Sequence, residues 1–273
     1  MLHRLRPYLL LFAALLVIYH ANLRPVDSSD TLPGSLVPLA IVLDHTVTLD
    51  RFVPWLRQHV PYTSAVIVTS HGHYYSQYPI GGAVFASPLY LPLAFVGNLR
   101  AWDPGPLVMF ARIAEKFAAT FIAALSAPLL LFLLKRITSA AWAWCLTLVY
   151  ALGTETWSIS SQALWQHGPG ELAIVGALLG LAYWSIHRTS VAALWICGAS
   201  AACGLMFRQT NVLMLPALLA ALLVAKANVR EHVRLWTLPL LGGAMIASYN
   251  LYVLRHISGG HSVGSFLPPP FPQ

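Results

Sequence analysis

Long apolar runs separated by short polar breaks constrain this chain more than any other feature. The hydrocarbon core of a bilayer is about 30 Å thick and needs roughly 20 helical residues to cross it. Charged residues make up only 9% of the 273 residues, whereas about 25% is usual in a soluble domain. This pattern excludes an ordinary soluble globule, a disordered chain and a nucleic-acid-binding domain, and it predicts an integral, multi-pass membrane protein. The runs lie near 7–22, 107–134, 138–153, 169–186, 189–207, 210–226 and 235–254.

A further apolar run, residues 79–97, decides the predicted topology. If it crosses the membrane, strict alternation places six basic residues opposite the basic N-terminus, against the positive-inside rule. If it lies in the interface or re-enters, those six join Arg4 and Arg6 on the cytoplasmic side. We therefore predict seven spans with a cytoplasmic N-terminus. The six residues are Lys135, Arg136, Arg188, Lys226, Arg230 and Arg234.

The predicted fold is all-α, a polytopic transmembrane helix bundle with one large extracytoplasmic loop that bears surface helices and a small strand pair. We predict a single membrane domain over residues 1–273. Its parts are a first extracytoplasmic loop with interfacial helices at 22–106, a transmembrane bundle at 107–254 and an extracytoplasmic tail at 255–273.

Periodicity within the large loop predicts its local structure. Apolar residues at helical spacing predict two short helices, and two β-prone segments flanking a glycine-containing turn predict a strand pair. The turn carries His71 and His73, which could ligate a metal, although two histidines in a turn more often have no such role. The helical stripes are Leu36, Val37, Leu39, Ala40 and Leu43, and Leu49, Phe52, Val53 and Leu56; the strands are 65–68 and 74–78.

Carboxylates follow the first predicted span and precede the first loop helix. Asp27 and Asp30 lie there with Thr31 and Pro33. A carboxylate at the outer membrane surface can take a proton from an incoming nucleophile. The alternative is that Asp30 or Thr31 caps the helix, with Pro33 in its first turn. The two roles are compatible.

Arg112, Glu115 and Lys116 share one helix face near the outer end of a long apolar run. Ionisable groups in membrane spans usually turn toward the interior of a bundle and serve function. A basic pair at this position would suit a phosphate group. The alternative is a structural pair between Arg112 and Glu115, with Lys116 extending to the interface.

A polar and aromatic segment, residues 161–169, follows the third span. It contains Gln162, Trp165, Gln166 and His167, a set of donors, acceptors and an aromatic face that suits a sugar or a lipid head group. The alternative is an interfacial aromatic belt with polar flanks. Farther along, Arg208 opens a polar break, residues 208–211, that either binds an anion or forms a short turn.

Taken in order, four of these segments resemble a known family. They are Ser29-Asp30-Thr31, Tyr78-Pro79-Ile80-Gly81, Arg112 to Lys116 and Ser161 to Pro169. The chain resembles the polytopic C-type glycosyltransferases, in particular the bacterial relatives of the protein O-mannosyltransferase and aminoarabinose-transferase group. The resemblance implies transfer of a sugar from a polyprenyl-phosphate donor to an extracytoplasmic acceptor, by inverting displacement at the anomeric carbon.

The resemblance also implies roles for individual residues. Asp30 corresponds to the acidic general base of the first outer loop, with Asp27 as the alternative. Because displacing a lipid phosphate develops negative charge on the leaving oxygen, the cations Arg112 and Lys116 are the first candidates to bind the donor phosphate, and Arg208 and His167 are the second. The residues expected to bind the acceptor or the sugar are Tyr78, Gln162, Trp165 and Gln166.

The resemblance implies a location in the bacterial inner membrane, contact with membrane lipids and a glycan, lipid or protein acceptor. Members of the group are usually longer, so we expect that the chain is C-terminally truncated or a fragment. Their paired acidic motif is absent, because Thr31 follows Asp30; no metal ligand or cofactor is assigned, and a dependence on a divalent metal is left open. The alternatives are a transporter or flippase-like protein that binds a lipid phosphate, and a non-catalytic membrane scaffold.

Overall fold

The structure is a computed structural model that describes residues 2–22 and 28–256, with side chains from Leu5 onward. Within this part of the chain the fold is mostly helical, with one two-stranded sheet, as the sequence predicts. The α-helices are α1 (Leu2–His20), α2 (Leu32–Asp44), α3 (Val53–His59), α4 (Thr63–Val66), α5 (Gly81–Tyr90), α6 (Pro104–Ile137), α7 (Ala140–Gly153), α8 (His167–Ile186), α9 (Val191–Phe207), α10 (Met214–Val224) and α11 (Val229–Leu254). The strands are β1 (Ile67–Ser70) and β2 (His73–Ser76).

Every apolar run that we predict to be a span forms a helix. Three of these helices, α6, α8 and α11, are long and apolar enough to cross a membrane. The other four, α1, α7, α9 and α10, are shorter apolar helices, and a 3₁₀ turn at Gln209–Leu213 precedes α10. The helices pack in the order α1 with α6, α6 with α8, α8 with α9 and α9 with α11.

Local sequence signals set the ends of the long helices. Pro104 begins α6, where its fixed φ suits the first helical position and its missing N–H has no intrahelical partner to lose. At the start of α11, the Asn228 side chain accepts from the Glu231 N–H while the Glu231 carboxylate accepts from the Asn228 N–H. This capping box satisfies two of the backbone donors that a helix start leaves without partners.

The segment between α1 and α6 folds as a compact loop unit, residues 28–103. Both predicted apolar stripes are buried in its core, where Leu36 and Phe52 are fully enclosed. Leu107 and Ala111 of α6 belong to the same core. The short helices α2 and α3 therefore bury their apolar faces against protein.

The strand pair forms with different limits from those predicted. β1 and β2 are antiparallel, with Ile67 paired to Ser76 and Ser70 paired to His73. His71 and Gly72 make the two-residue connection with φ of 50° and 80°, the left-handed conformations that favour glycine in a tight hairpin. Residues 65 and 66, predicted to be strand, end the short helix α4.

The run 79–97 forms α5 followed by a 3₁₀ turn at Leu91–Phe95. At 1.5 Å per residue, α5 is about 15 Å long, roughly half the length that a membrane crossing needs. Its first residue, Gly81, lies so close to α9 that a Cβ there would collide with the Met206 carbonyl. This close approach fixes the start of α5 beside the end of α9.

Candidate functional site

A cavity of about 450 Å³ lies where four helix ends meet. These are the N-terminal ends of α2, α5 and α8 and the C-terminal end of α9. Six of the residues predicted to form the site line this cavity: Asp30, Tyr78, Trp165, Gln166, His167 and Arg208.

The carboxylate of Asp30 is exposed to the cavity and is held by two hydroxyl groups. The Tyr78 hydroxyl donates to Asp30 Oδ1 at 2.6 Å, and the Ser29 hydroxyl donates to the same oxygen at 3.2 Å. Thr31 occupies the N-cap position of α2 and Pro33 lies in the first turn, as the capping alternative predicts, but neither Asp30 nor Thr31 caps the helix through its side chain. Both hydroxyls thus bind the same carboxylate oxygen, Oδ1.

Tyr78 follows the hairpin and brings its phenol to Asp30. Its backbone N–H donates to the Ser76 hydroxyl at 3.0 Å, which fixes the chain just after β2. Burial, the hydrogen bond to Asp30 and the charge of that carboxylate all raise the pKa of Tyr78. The phenol therefore stays protonated at neutral pH and remains a hydrogen-bond donor to Asp30.

Arg208 supplies the cavity with a cation. It follows the last residue of α9 in extended conformation, and its Nη1 donates to His167 Nδ1 at 2.8 Å. Because a guanidinium only donates, this contact makes Nδ1 of His167 the acceptor. The neutral tautomer with a proton on Nε2 is thus the one that fits, and the pair presents donors to the cavity.

Trp165 and Gln166 stand at the start of α8, next to His167. The backbone N–H of Trp165 donates to the Ala163 carbonyl at 2.8 Å, and Gln166 is the N-cap residue of α8. Both side chains are half-buried and line the cavity. They add an aromatic face and an amide to the cation of Arg208.

Arg112 does not line the cavity, contrary to its first-choice assignment to the donor phosphate. Its Nη1 donates to Thr31 Oγ1 at 2.8 Å and to Glu115 Oε2 at 3.1 Å, and its Nη2 donates to the Ser28 carbonyl at 3.1 Å. Arg112 and Glu115 are both buried. The alternative interpretation, a pair between Arg112 and Glu115, matches this geometry because protein groups take up the guanidinium.

Lys116 and Gln162 are also buried beside the cavity without lining it. Lys116 Nζ donates to Gln162 Oε1 at 2.6 Å and to the Ser161 carbonyl at 3.3 Å. Gln162 Nε2 donates in turn to the Trp157 carbonyl at 2.8 Å. The expected phosphate contact of Lys116 and sugar contact of Gln162 therefore do not fit the arrangement, because each is bonded to the other. The other predicted site residue, Asp27, lies outside the described residues.

We call this second group the buried junction: Thr31, Arg112, Glu115, Lys116 and Gln162. It joins the start of α2 to α6 and to the segment that precedes α8. Besides its contact with Arg112, Glu115 accepts from the Leu164 N–H at 2.9 Å through Oε1. The buried junction thus lies behind the cavity, and Thr31 and Leu164 connect the two.

Gln209 and Thr210 extend the wall begun by Arg208; they belong to the polar break at 208–211, which the sequence analysis gave as either an anion site or a short turn. The sequence analysis missed a second polar group. Glu171 accepts from the hydroxyls of Ser160 at 2.6 Å, Thr156 at 3.0 Å and Tyr150 at 3.2 Å.

Metal-ligating side chains do not converge in the described ranges, 2–22 and 28–256, in groups of three or more. The two turn histidines have separate partners. His73 Nδ1 lies 2.6 Å from Asp50 Oδ2, whereas His71 Nε2 lies 3.1 Å from the Tyr252 carbonyl oxygen and its ring stacks on Tyr252. They connect the hairpin to the chain before α3 and to α11.

Comparison of this chain with protein-family models, with curated proteins and with solved structures finds no match.

Proposed function

We propose that this protein is a membrane glycosyltransferase, or the N-terminal part of one, that moves a sugar from a polyprenyl-phosphate donor to an extracytoplasmic acceptor. One observation carries the proposal: a carboxylate held by a phenol, Asp30 with Tyr78, lines the same cavity as the cationic Arg208 and its partner His167. Glycosyl transfer from a lipid phosphate needs both a proton acceptor and a cation for the leaving group.

The proposal places the cavity at the outer water–lipid boundary of a seven-span bundle in a bacterial inner membrane. Its support is the charge distribution along α6. Residues 117–134 carry no charge, and their length of about 27 Å approaches the thickness of the hydrocarbon core. Lys116 and Lys135 flank this stretch, so α6 has one charged end near each boundary. The N-terminus would then be cytoplasmic, and α5 would lie at the surface.

The proposed reaction is an inverting displacement. An acceptor hydroxyl oxygen forms a bond to the anomeric carbon, and its proton passes to the Asp30 carboxylate. The bond between the anomeric carbon and the phosphate oxygen breaks, and its electron pair stays on the departing polyprenyl phosphate. Arg208 offsets this added negative charge, with a hydrogen bond from His167 Nε2, because fixed donors aimed at developing charge lower the barrier.

Tyr78, Trp165 and Gln166 complete the proposed site. The Tyr78 phenol donates to one oxygen of Asp30, which orients the carboxylate so that its other oxygen can accept the proton. The indole of Trp165 offers an apolar surface to a sugar ring, and the Gln166 amide offers a donor and an acceptor to its hydroxyls. The apolar polyprenyl chain would lie among the spans.

The decisive test is Asp30→Asn in purified protein reconstituted with a panel of polyprenyl-phosphate sugars. We expect release of polyprenyl phosphate to fall by about 10²- to 10⁴-fold, the usual contribution of a general base. Asp103→Asn is the matched control, because Asp103 is also an exposed carboxylate just before a helix and does not cap it. Full activity of Asp30→Asn would refute the base. Movement of the lipid without release of polyprenyl phosphate would favour a transporter instead.

A further inference from the structure

The buried pair of Arg112 and Glu115 reaches both walls of the cavity without entering it. On one side, Arg112 donates to Thr31 Oγ1 at 2.8 Å and to the Ser28 carbonyl at 3.1 Å, and these two residues flank the segment that carries Asp30. On the other side, Glu115 accepts from the Leu164 N–H at 2.9 Å, one residue before Trp165.

The two walls also touch directly beside this pair. A Cβ on Gly34, in the first turn of α2, would lie only 3.1 Å from the Leu164 carbonyl oxygen, so the backbone of α2 passes close to the segment before α8. Lys116 also holds the segment before α8, because it donates to the Ser161 carbonyl and to the Gln162 side chain. Each wall is therefore held to one turn of α6.

We propose that Arg112 and Glu115 form a positioning bridge, which sets the position of the base Asp30 relative to the Trp165–His167 wall. The inference rests on the proposed function and goes beyond it, because it gives the buried charges a task in turnover. Neither residue touches a substrate. The fork of the guanidinium matters here, because it contacts Thr31, Ser28 and Glu115 at once, which the single head of a lysine cannot do.

Thr31→Val tests the bridge with a change of one hydroxyl group. Valine keeps the approximate volume but removes the acceptor of Arg112 and the hydroxyl that donates to the Ser28 carbonyl at 3.3 Å. A displacement near 1 Å of a catalytic group costs about 10²-fold in rate, so we expect kcat to fall by about tenfold or more. The KM for the donor should change by less than about twofold, because an interaction that acts only in the transition state leaves KM unchanged. Thr31→Ser, which keeps the hydroxyl, should restore turnover.

Arg112→Lys separates charge from shape. The lysine still neutralises Glu115, so the protein should fold, but it cannot hold both Thr31 and the Ser28 carbonyl. We expect a fall in kcat similar to that of Thr31→Val. Glu231→Gln is the matched control. Glu231 is also buried, accepts from a backbone N–H and lies near an arginine, Arg188, at the far end of the bundle, and its change should leave kcat unaltered.

A distance measurement gives a second readout that does not depend on turnover. Spin labels at cysteines introduced for Ser29 and Gln166, after replacement of the three native cysteines, report the separation of the two walls by EPR. We expect a broader distance distribution in Thr31→Val and Arg112→Lys, and no change in Glu231→Gln. Wild-type turnover of Thr31→Val, or an unchanged distribution, would overturn the bridge. If Asp30→Asn were inactive in the same assay, the proposed function would survive that result; if Asp30→Asn were active, the base itself would fail.

Discussion

The cavity and the buried junction contain the same kinds of side chain in opposite circumstances. Asp30 and Arg208 line open space; among the described residues, Asp30 accepts from the Tyr78 and Ser29 hydroxyls and Arg208 donates to His167. Arg112 and Glu115 are three residues apart on α6, about 4.5 Å along the helix axis, and they bond to each other and to their neighbours. The difference teaches that an ionisable residue near the end of an apolar run indicates a polar site among the packed helices. Whether that residue can bind a substrate depends on how many of its hydrogen-bonding groups are already taken by the protein.

The largest expected effect separates the two regions by stability. Glu115→Ala breaks the buried pair by removing the carboxylate that accepts from Arg112, a change that costs about 3–5 kcal/mol of unfolding free energy. Asp30→Ala removes an exposed group and should cost only about 0.5 kcal/mol. Unfolding in detergent micelles measures both. Equal losses in the two variants would erase the distinction between the cavity and the buried junction.

A smaller effect is expected on the cavity side. Arg208→Ala removes the cation proposed for the donor phosphate, and hydrogen bonds to charged groups contribute about 1.5–3 kcal/mol. We therefore expect kcat/KM for the lipid-linked donor to fall by about 10- to 100-fold, with little change in thermal stability. Arg57→Ala is the control, because Arg57 is exposed on α3 and lies over the Tyr74 ring. If both variants lost activity equally, the assignment of Arg208 to the donor phosphate would be wrong.

The smallest effect concerns an exposed contact between His73 and Asp50, which belongs to neither region. Burial tends to raise the pKa of Asp50, but hydrogen bonds from His73 and the Tyr74 N–H outweigh it and lower this pKa below its ordinary value of 3.8. A lowered native pKa adds stability that is complete above the unfolded value and is lost as the pH falls through the native value. The contribution should be less than about 1 kcal/mol, because both side chains are exposed.

Thermal unfolding between pH 6 and pH 3 measures this contribution. The difference between the wild type and Asp50→Asn should shrink as the pH falls below about 4. A difference that grew with acidity would show that Asp50 acts through something other than its ionised form.

The helices could be predicted from the sequence because their signals are local. The stripe of Leu36, Val37 and Leu39 gives α2, and the glycine-containing turn at His71 and Gly72 gives the hairpin. The sequence also predicted which segments meet at the cavity, since six candidate residues line it.

The partners of the charged residues could not be predicted in this way. Arg112 reaches Thr31, 81 positions earlier, and Lys116 reaches Gln162, 46 positions later. Such pairings depend on how α6 is rotated within the bundle, and a helix that is apolar on most sides gives no strong preference for one rotation. Periodicity therefore identified Arg112 and Lys116 as notable but could not tell a phosphate contact from an internal one.

The contact of Gly81 with Met206 has a consequence for substrate choice. Ile80 and Gly82 on one side of that contact and Arg208 on the other line the cavity. Because Gly81 has only a hydrogen atom where other residues have a Cβ, it sets the distance between α5 and α9 and therefore the width of the cavity. An alanine at position 81 would push α5 and α9 apart and enlarge the cavity, although every lining side chain would stay the same. Under the proposed function, the size of sugar that fits would then depend on a residue that the sugar never touches.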